Sequence, residues 1–279
     1  MKRIKSFDNS HPLLYLIATP IGNLGEFSSR ALDTIKDMDF LACEDTRNTK
    51  DLLSKFGINK KLVSLREHNE AEMSNYVVKE ILDGKKVAYV SDAGYPAISD
   101  PGNILVKIAH DNDVAISVIS GSSAFINALV SSNLDTNHFY FHGFLPAKEG
   151  EAKRELEQLK NKEETLIFYE SPHRIKDTIQ YMLDVLGDRN MVLERELTKI
   201  NEEKIYGKTS ELLSLDFSTI KGEIVLVVEG NKSKEGLSVD EIKKYVAYFM
   251  EKGMTKKDAI ESVSVIFKIK KNYIKDLFN

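Results

Sequence analysis

The sequence predicts an α/β protein with a parallel-sheet N-terminal domain, a mixed-sheet second domain and a small C-terminal helical unit. Short apolar runs alternate with helical patterns through the first part of the chain, which is typical of a parallel sheet covered on both faces. Later strands follow one another through shorter turns, which indicates a mixed sheet. We therefore predict domains at residues 1–120, 121–231 and 237–279.

The elements of the N-terminal domain are read from short apolar runs rich in Val, Ile, Leu, Phe and Tyr. Strands are predicted at residues 13–18, 40–43, 62–65, 87–90 and 114–119. The segments between them carry apolar residues three and four positions apart, as at Leu32, Ile35 and Met38, which predicts helices. The first domain is therefore predicted to alternate strand and helix.

The second domain and the C-terminal unit show a different order of elements. Helices are predicted at 124–131, 151–159 and 172–186, and strands at 139–141, 166–169, 192–196, 204–206 and 224–228. The polar segment from Asn231 to Gly236 is the predicted linker. Beyond it we expect helices at 239–251, 256–266 and 271–277, with Thr255 capping the second of them.

Composition excludes several classes of protein. No segment approaches the roughly 18 apolar residues that cross a membrane, and the first residues lack the apolar stretch of a signal peptide. The single cysteine, Cys43, excludes an internal disulfide and is expected to be a small buried residue. We therefore expect a cytoplasmic protein with no membrane partner. The net charge of −4 gives no general attraction to nucleic acid, so RNA contacts must come from local basic patches.

Three glycine-containing loops each follow a predicted strand, at residues 19–25, 91–102 and 120–123. Glycine lets the backbone approach a ligand closely, and ligands of open α/β sheets bind at the carboxyl ends of the strands. We predict that the three loops converge on one cleft and that this cleft is the active site.

Common nucleotide and metal motifs are missing from the sequence. Gly22 and Gly25 form only G-x-x-G, and there is no phosphate-binding loop of the G-x-x-x-x-G-K-[ST] type. His138 and His142 are four positions apart without a Cys pair or a carboxylate cluster, so we expect no metal site.

Charged residues cluster at the ends of three of the predicted strands, at 44–47, 170–174 and 194–199. Helix capping by Asp45 or Thr46, and Pro172 in a first helical turn, account for part of this charge. The remainder exceeds what caps require, which indicates a chemical role beside the glycine loops.

Six motifs occur in a distinctive order along the chain: ATPIGNLG at 18–25, EDTR at 44–47, EHNE at 67–70, SDAG with ISDPG within 91–102, FYESPHR at 168–174 and RELTK at 195–199. In this order they resemble the ribosomal RNA small subunit methyltransferase I family of the tetrapyrrole methylase superfamily. The resemblance covers about residues 13–230, and the last forty-odd residues are similar to the helix-turn-helix-like tail of that family.

The resemblance implies a two-domain tetrapyrrole-methylase-like fold with S-adenosylmethionine as methyl donor. Because methyl transfer from a sulfonium is an in-line displacement, no metal is required. It implies 2′-O-methylation of a cytidine ribose in the decoding region of 16S rRNA. The expected partners are 16S rRNA or the small ribosomal subunit, and a second copy of the chain in a homodimer.

The resemblance also implies a donor site between the two domains, against Asp92, Gly94, Ser123 and Tyr169. Apolar walls for this site are expected from Pro20, Ile98, Ala124 and Ile224. For the acceptor hydroxyl, the candidate bases or orienting groups are Glu196, Lys199 and Glu170. Arg47 and Arg174 suit phosphate contacts.

The chain departs from the family pattern beside the expected donor site. Tyr95 stands where the family usually has threonine, and Ser-Gly-Ser-Ser-Ala at residues 120–124 replaces Pro-Gly-Pro-Ser-Ala. Each lost proline frees a backbone torsion, so we expect a less rigid loop there.

Two other functions stay open at this point. One is a methylase of the same superfamily that acts on a tetrapyrrole carbon or on a modified histidine of an elongation factor. The other is a non-enzymatic regulator that binds a nucleotide-like ligand in the cleft and RNA through its tail. A methyl-transfer assay separates the enzyme from the regulator.

The tail itself allows two interpretations. Between residues 252 and 275 it has seven lysines and two acidic residues, which favours an RNA-facing surface. The alternative is a helical bundle that packs on the body or on a second copy through Val263, Ile266, Phe267, Ile274 and Leu277.

Overall fold

The computed structural model describes residues 3–7, 11–232, 239–267 and 269–278. The chain divides into two compact units, residues 1–230 and residues 231–279. The predicted division of the first unit at residue 120 stays a prediction. Four residues of the predicted linker, 233–236, lie outside the described residues, as do residues 237–238 of the predicted C-terminal domain and Lys268.

The first sheet has five parallel strands in the order β3-β2-β4-β1-β5. They are β1 (Leu13–Ile17), β2 (Phe40–Cys43), β3 (Lys61–Ser64), β4 (Val87–Val90) and β5 (Ala115–Ile119). The predicted strands are confirmed, with bounds that differ by at most one residue. Because β4, β1 and β5 are neighbours, the three loops that follow them leave the same edge of the sheet.

Helices cover both faces of this sheet, as predicted. They are α1 (Ser29–Asp37), α2 (Thr46–Ser54), α3 (Glu70–Leu82) and α4 (Asn103–Asp111). Ile35 of α1 and Leu53 of α2 are buried on one face, whereas Ile81 of α3 and Leu105 of α4 are buried on the other. Asp45 caps α2 by accepting a hydrogen bond from the backbone of Arg47 at 2.8 Å, which confirms the capping predicted for this position.

The second sheet is mixed and has the strand order β6-β7-β10-β8-β9. Its strands are β6 (Phe139–Phe144), β7 (Thr165–Glu170), β8 (Asn190–Arg195), β9 (Glu203–Lys208) and β10 (Ile224–Val228). Its helices are α5 (Ala124–Ser131), α6 (Glu149–Leu159), α7 (Ile175–Leu186) and α8 (Thr209–Leu212). Only the β6–β7 pair is parallel among the strand pairs of this sheet. The second sheet is therefore mixed, as the short connections predict.

One hydrophobic cluster joins the first glycine loop to the second sheet. Ala128 and Leu129 of α5 pack with Val225 and Val227 of β10, and Ile21 from the loop after β1 belongs to the same cluster. The loop after β1 is thereby fixed against the second sheet, which brings the edge of the first sheet to the second.

Two of the wrong boundaries have a cause in the backbone geometry. The helix predicted from residue 172 begins at Ile175, because Ser171 O accepts hydrogen bonds from the backbone of both Arg174 and Ile175 and closes a separate turn that contains Pro172. The strand predicted to end at Glu196 ends at Arg195, because Glu196 has a φ of 53° and leaves the sheet. Several other bounds are wrong by one to three residues, the largest at the strand predicted to end at residue 141, which extends to Phe144.

The second unit contains α9 (Val239–Glu251), α10 (Lys256–Ile266) and α11 (Lys271–Asp276). Its core consists of Ile242, Val246, Ala259, Ile260, Val263 and Ile274. Thr255 caps α10, as predicted, by accepting a hydrogen bond from the backbone of Asp258. Ile266, one of the residues expected to pack, is 56% exposed. Across the described part of the chain, no helix is both long enough and apolar enough to cross a membrane.

Candidate active site

The loops after β1, β4 and β5 meet at one edge of the first sheet, as the sequence predicts. Thr19 N donates to Gly94 O at 2.9 Å, and Gly94 N donates to Thr19 O at 3.1 Å. The phenol oxygen of Tyr95 accepts a hydrogen bond from Gly121 N at 3.2 Å. Ser122 Oγ donates to the carboxylate of Glu26, which follows the first loop, at 2.5 Å. The second loop is thus bonded to the other two, and the third loop is also bonded to Glu26, directly after the first.

A cavity of about 320 Å³ lies between these loops and the second sheet. Six of the eight predicted donor-site residues line it: Gly94, Ile98, Ser123, Ala124, Tyr169 and Ile224. Sequence reasoning missed further lining residues, among them Ile21, Tyr95, Asp100, Phe144, Leu197 and Glu223. Mostly apolar walls with a few polar groups are typical of a small-molecule site.

Asp100 is the missed residue with the clearest chemical role. Within the described ranges, no hydrogen bond or ion pair engages its carboxylate, although it faces this cavity. Burial, reinforced by the negative charges of Glu44 and Asp92, raises the pKa of Asp100 to about 7. A half-buried carboxylate without an internal partner is suited to a cationic or hydroxyl-bearing ligand. Its place in the ISDPG motif was the available signal.

A second cavity, of about 620 Å³, shares Ser99 and Asp100 with the first. Its lining is strongly polar and comes from Glu44, Asp45, Arg66, Glu67, His68, Glu70, Asp92 and Pro101 as well. Among the described residues, no three His, Cys, Asp or Glu side chains are grouped as ligands for a metal ion. Asp100 therefore stands where an apolar cavity adjoins a polar one.

Asp92 and Pro20, the two remaining predicted donor-site residues, do not line the first cavity. Asp92 accepts hydrogen bonds from Asp45 N at 3.2 Å and Asn48 Nδ2 at 2.6 Å, so its carboxylate holds the start of α2 and faces the second cavity. Pro20, in the first loop, is buried. Any contact of either side chain with a ligand in the first cavity stays a prediction.

Two arginines converge on Asp45 at the second cavity. Arg47 Nη2 lies 2.9 Å and Arg66 Nη2 lies 3.1 Å from Asp45 Oδ2. The hydrogen bonds from Arg47 are the main reason that the pKa of Asp45 lies well below its usual range. The Arg47 side chain is 84% exposed, so its guanidinium remains accessible to an anion from solvent.

Glu196 and Lys199 form an ion pair at the edge of the first cavity. Lys199 Nζ lies 2.8 Å from Glu196 Oε1 and 2.7 Å from Oε2 of Glu223, a lining residue. The methylenes of Lys199 cover Gly22, and the carboxylate of Glu196 covers Gly222; a Cβ at either glycine would collide with these side chains. Mainly through the hydrogen bond from Lys199, the pKa of Glu196 is lowered, which makes Glu196 a weak base.

Glu170 and Arg174 are engaged with each other beside the cavity. The buried Glu170 carboxylate accepts hydrogen bonds from Arg174 Nε at 3.0 Å, from Thr178 Oγ1 at 2.6 Å and from Ser171 N at 2.7 Å. Arg174 Nη2 also donates to Leu145 O at 3.0 Å. These contacts support a positioning role for both residues, because they fix the turn that lines the cavity.

Comparison with known proteins agrees with this arrangement. Residues 13–213 match the family described as Tetrapyrrole (Corrin/Porphyrin) Methylases. The Ribosomal RNA small subunit methyltransferase I of Bacillus subtilis (strain 168) is 40% identical, over 100% of this chain and 99% of that protein. The protein of that name from Vibrio cholerae is 41% identical, over 96% of this chain and 94% of that protein.

Two solved structures share the fold at low sequence identity. Diphthine synthase superposes with a TM-score of 0.60 at 14% identity, over 78% of this chain and 89% of that chain. The cobalt precorrin-4 methyltransferase superposes with a TM-score of 0.58 at 18% identity, over 79% of this chain and 95% of that chain. From the family match and the near full-length relatives together, this chain is a methyltransferase of the tetrapyrrole methylase family, in the group of the ribosomal RNA small subunit methyltransferases I.

Proposed function

We propose that this protein transfers a methyl group from S-adenosylmethionine to the 2′-hydroxyl of a cytidine ribose in the decoding region of 16S rRNA. The observation that carries the proposal is the similarity, over nearly the whole chain, to relatives named for the RNA of the small ribosomal subunit. The lined cavity at the meeting point of the three glycine loops supports it.

The first cavity fits the donor by its chemistry. Ile98, Ala124 and Ile224 offer apolar walls for a flat heterocycle, and Ser123, whose side chain does not cap α5, offers hydrogen-bonding groups. The Asp100 carboxylate is suited to the ammonium group or the ribose hydroxyls of the donor. When bound, S-adenosylmethionine supplies a methyl group carried on a sulfonium.

The second cavity is the proposed place of the acceptor nucleoside, because it shares Ser99 and Asp100 with the donor cavity. Carboxylates accept hydrogen bonds from ribose hydroxyls and from the amino group of cytosine. The phosphates of the RNA would lie outside this acidic cavity, against the exposed guanidinium of Arg47.

Methyl transfer to a hydroxyl is an in-line displacement, so the protein contributes mainly by aligning the two reactants. Because Glu196, Lys199 and Glu170 are engaged in ion pairs, we assign orienting roles to them rather than the acceptance of the hydroxyl proton. Lys199 and Glu196 hold Glu223 and the first glycine loop in place, and Glu170 holds the turn after β7.

The partners in this proposal are 16S rRNA or the small ribosomal subunit, reached in the cytoplasm, and a second copy of the chain. A homodimer is supported by apolar side chains that α5 and the edge strand β5 expose: Val118 is 48%, Ile126 39% and Val130 73% exposed. The lysine-rich C-terminal unit is the proposed RNA-binding appendage.

The test uses small ribosomal subunits from cells that lack the gene. Purified protein and donor with a radiolabelled methyl group are added, and the 16S rRNA is mapped by primer extension at low deoxynucleotide concentration. We expect label in the RNA and a stop at one cytidine of the decoding region. No label in the RNA, with label in a tetrapyrrole or an elongation factor supplied in a parallel reaction, would instead support another activity of the superfamily.

A further inference from the structure

The loop at residues 120–123 is tied to its neighbours by two side-chain hydrogen bonds. Tyr95, on the loop after β4, accepts one from Gly121 N at 3.2 Å. Ser122 Oγ donates the other to Glu26. The next residue, Ser123, lines the first cavity and precedes α5, so these two bonds act next to the part of the loop that lines the cavity.

We propose that Tyr95 is a positioning residue of the donor site, whose hydroxyl holds the 120–123 loop in the conformation that places Ser123 and Ala124 against the donor. The inference rests on the proposed donor site. Tyr95 contributes to the site twice, because it lines the cavity and its hydroxyl also reaches the neighbouring loop.

The composition of the loop explains why such a hydrogen bond is needed. Ser120, Gly121 and Ser122 carry no ring or branched side chain that restricts the backbone, so fixing them in one conformation costs conformational entropy. The loop also packs closely, since a Cβ at Gly121 would lie 3.0 Å from Cβ of Ala18. The flexible segment at 120–122 is thus closely packed against its surroundings, and the Tyr95 oxygen accepts the hydrogen bond that holds Gly121 there.

Tyr95→Phe removes the hydroxyl and keeps the ring that lines the cavity. The matched control is Tyr206→Phe. The Tyr206 hydroxyl also forms a hydrogen bond with the backbone, at Ser131 O, but it lies outside the three loops. The measurements are the dissociation constant of S-adenosylmethionine by calorimetry and the hydrogen exchange of the backbone amides at 120–124 without donor. Melting temperatures of both variants check the fold.

For Tyr95→Phe we expect donor binding weaker by roughly 3- to 10-fold, the effect of one net hydrogen bond, and faster exchange at 120–124. Tyr206→Phe should change neither. Once donor is saturating, kcat should stay near that of the unaltered protein, because the hydroxyl acts on the loop and not on the methyl transfer. Equal donor affinity and equal exchange in the two variants would overturn the proposal.

A second variant separates loop ordering from direct contact with the donor. Adding Ser120→Pro to Tyr95→Phe restricts the loop backbone by another route and should recover donor affinity. Absence of recovery would assign the loss to a direct bond between the hydroxyl and the donor, against the proposal. If the unaltered protein bound no donor, the proposed donor site would be wrong, whereas the exchange rates would still decide whether Tyr95 orders the loop.

Discussion

Arg174 Nε lies 3.0 Å from Oε1 of Glu170, whose side chain has no exposed surface. Removing the cation leaves a buried carboxylate without its charge partner, which costs about 3 kcal/mol in comparable ion pairs. We therefore predict that Arg174→Ala lowers the free energy of unfolding by about that amount, measured by urea denaturation. If Arg174→Ala instead left the stability unchanged and raised the KM for RNA, Arg174 would be assigned to phosphate binding.

Arg47 should behave in the opposite way, because its side chain is 84% exposed. Arg47→Ala is expected to raise the KM for RNA with kcat and stability little changed, and to reduce the salt slope of RNA binding by about 1. Lys36→Ala, at an exposed ion pair of α1, is the matched control. A loss confined to kcat would contradict the phosphate-positioning role of Arg47.

The raised pKa of Asp100 leads us to predict that donor binding depends on pH. Burial first, then the charges of Glu44 and Asp92, raises its pKa to about 7, so the carboxylate becomes ionised as the pH rises through this value. We expect the cationic donor to bind more tightly at pH 8 than at pH 6, by calorimetry. Asp100→Asn should weaken donor binding and make it less dependent on pH. The control is Asp51→Asn, at an exposed residue of α2, which should have neither effect. An unchanged pH profile in Asp100→Asn would exclude this role.

The burial of Glu194, which lies outside the active site, leads us to predict that the stability of the protein depends on pH. It is fully buried under α5, and Oε2 accepts a hydrogen bond from Ser131 Oγ at 2.7 Å while Oε1 has no partner among the described residues. Burial raises its pKa from 4.5 to about 7. The folded state therefore holds the proton more tightly than the unfolded state. This stabilisation is complete below pH 4.5 and is lost as the pH rises to about 7.

The measurement is urea denaturation of the unaltered protein and of Glu194→Gln at pH 5 and pH 8. From pH 5 to pH 8, the free energy of unfolding of the unaltered protein should fall by up to about 3 kcal/mol more than that of Glu194→Gln. Glu157→Gln, on the exposed face of α6, controls for the loss of one carboxylate. Identical pH profiles of Glu194→Gln and the unaltered protein would contradict the assignment.

We predict that the lysine-rich C-terminal unit makes RNA binding more sensitive to salt. A protein ending at residue 230 should bind the donor unchanged, bind rRNA or subunits more weakly and show a flatter salt slope, because each lost phosphate contact removes about 0.7 to 0.9 from the slope. Filter binding at several salt concentrations measures this. Equal affinity and slope in the shortened protein would leave the unit with a structural role.

Much of the architecture was predictable because the apolar pattern is local. The runs at Phe40–Cys43, Val87–Val90 and Ile224–Val228 predict their strands to the residue. Two of the boundary errors occur where the backbone geometry, and not the apolar pattern, decides where an element begins or ends. Examples are the turn before Ile175 and the positive φ of Glu196, neither of which has a hydrophobic signature.

The sequence by itself determined the two sheets, the helical unit and the convergence of three loops, because carboxyl ends of adjacent parallel strands meet at one edge. Only the tertiary structure decided which charged side chains face a cavity and which face each other. Asp92 and Asp100 lie in the same loop, yet one holds α2 and the other has no partner in the described chain. The reason is physical: burial and pairing depend on groups distant in sequence, which local pattern does not encode.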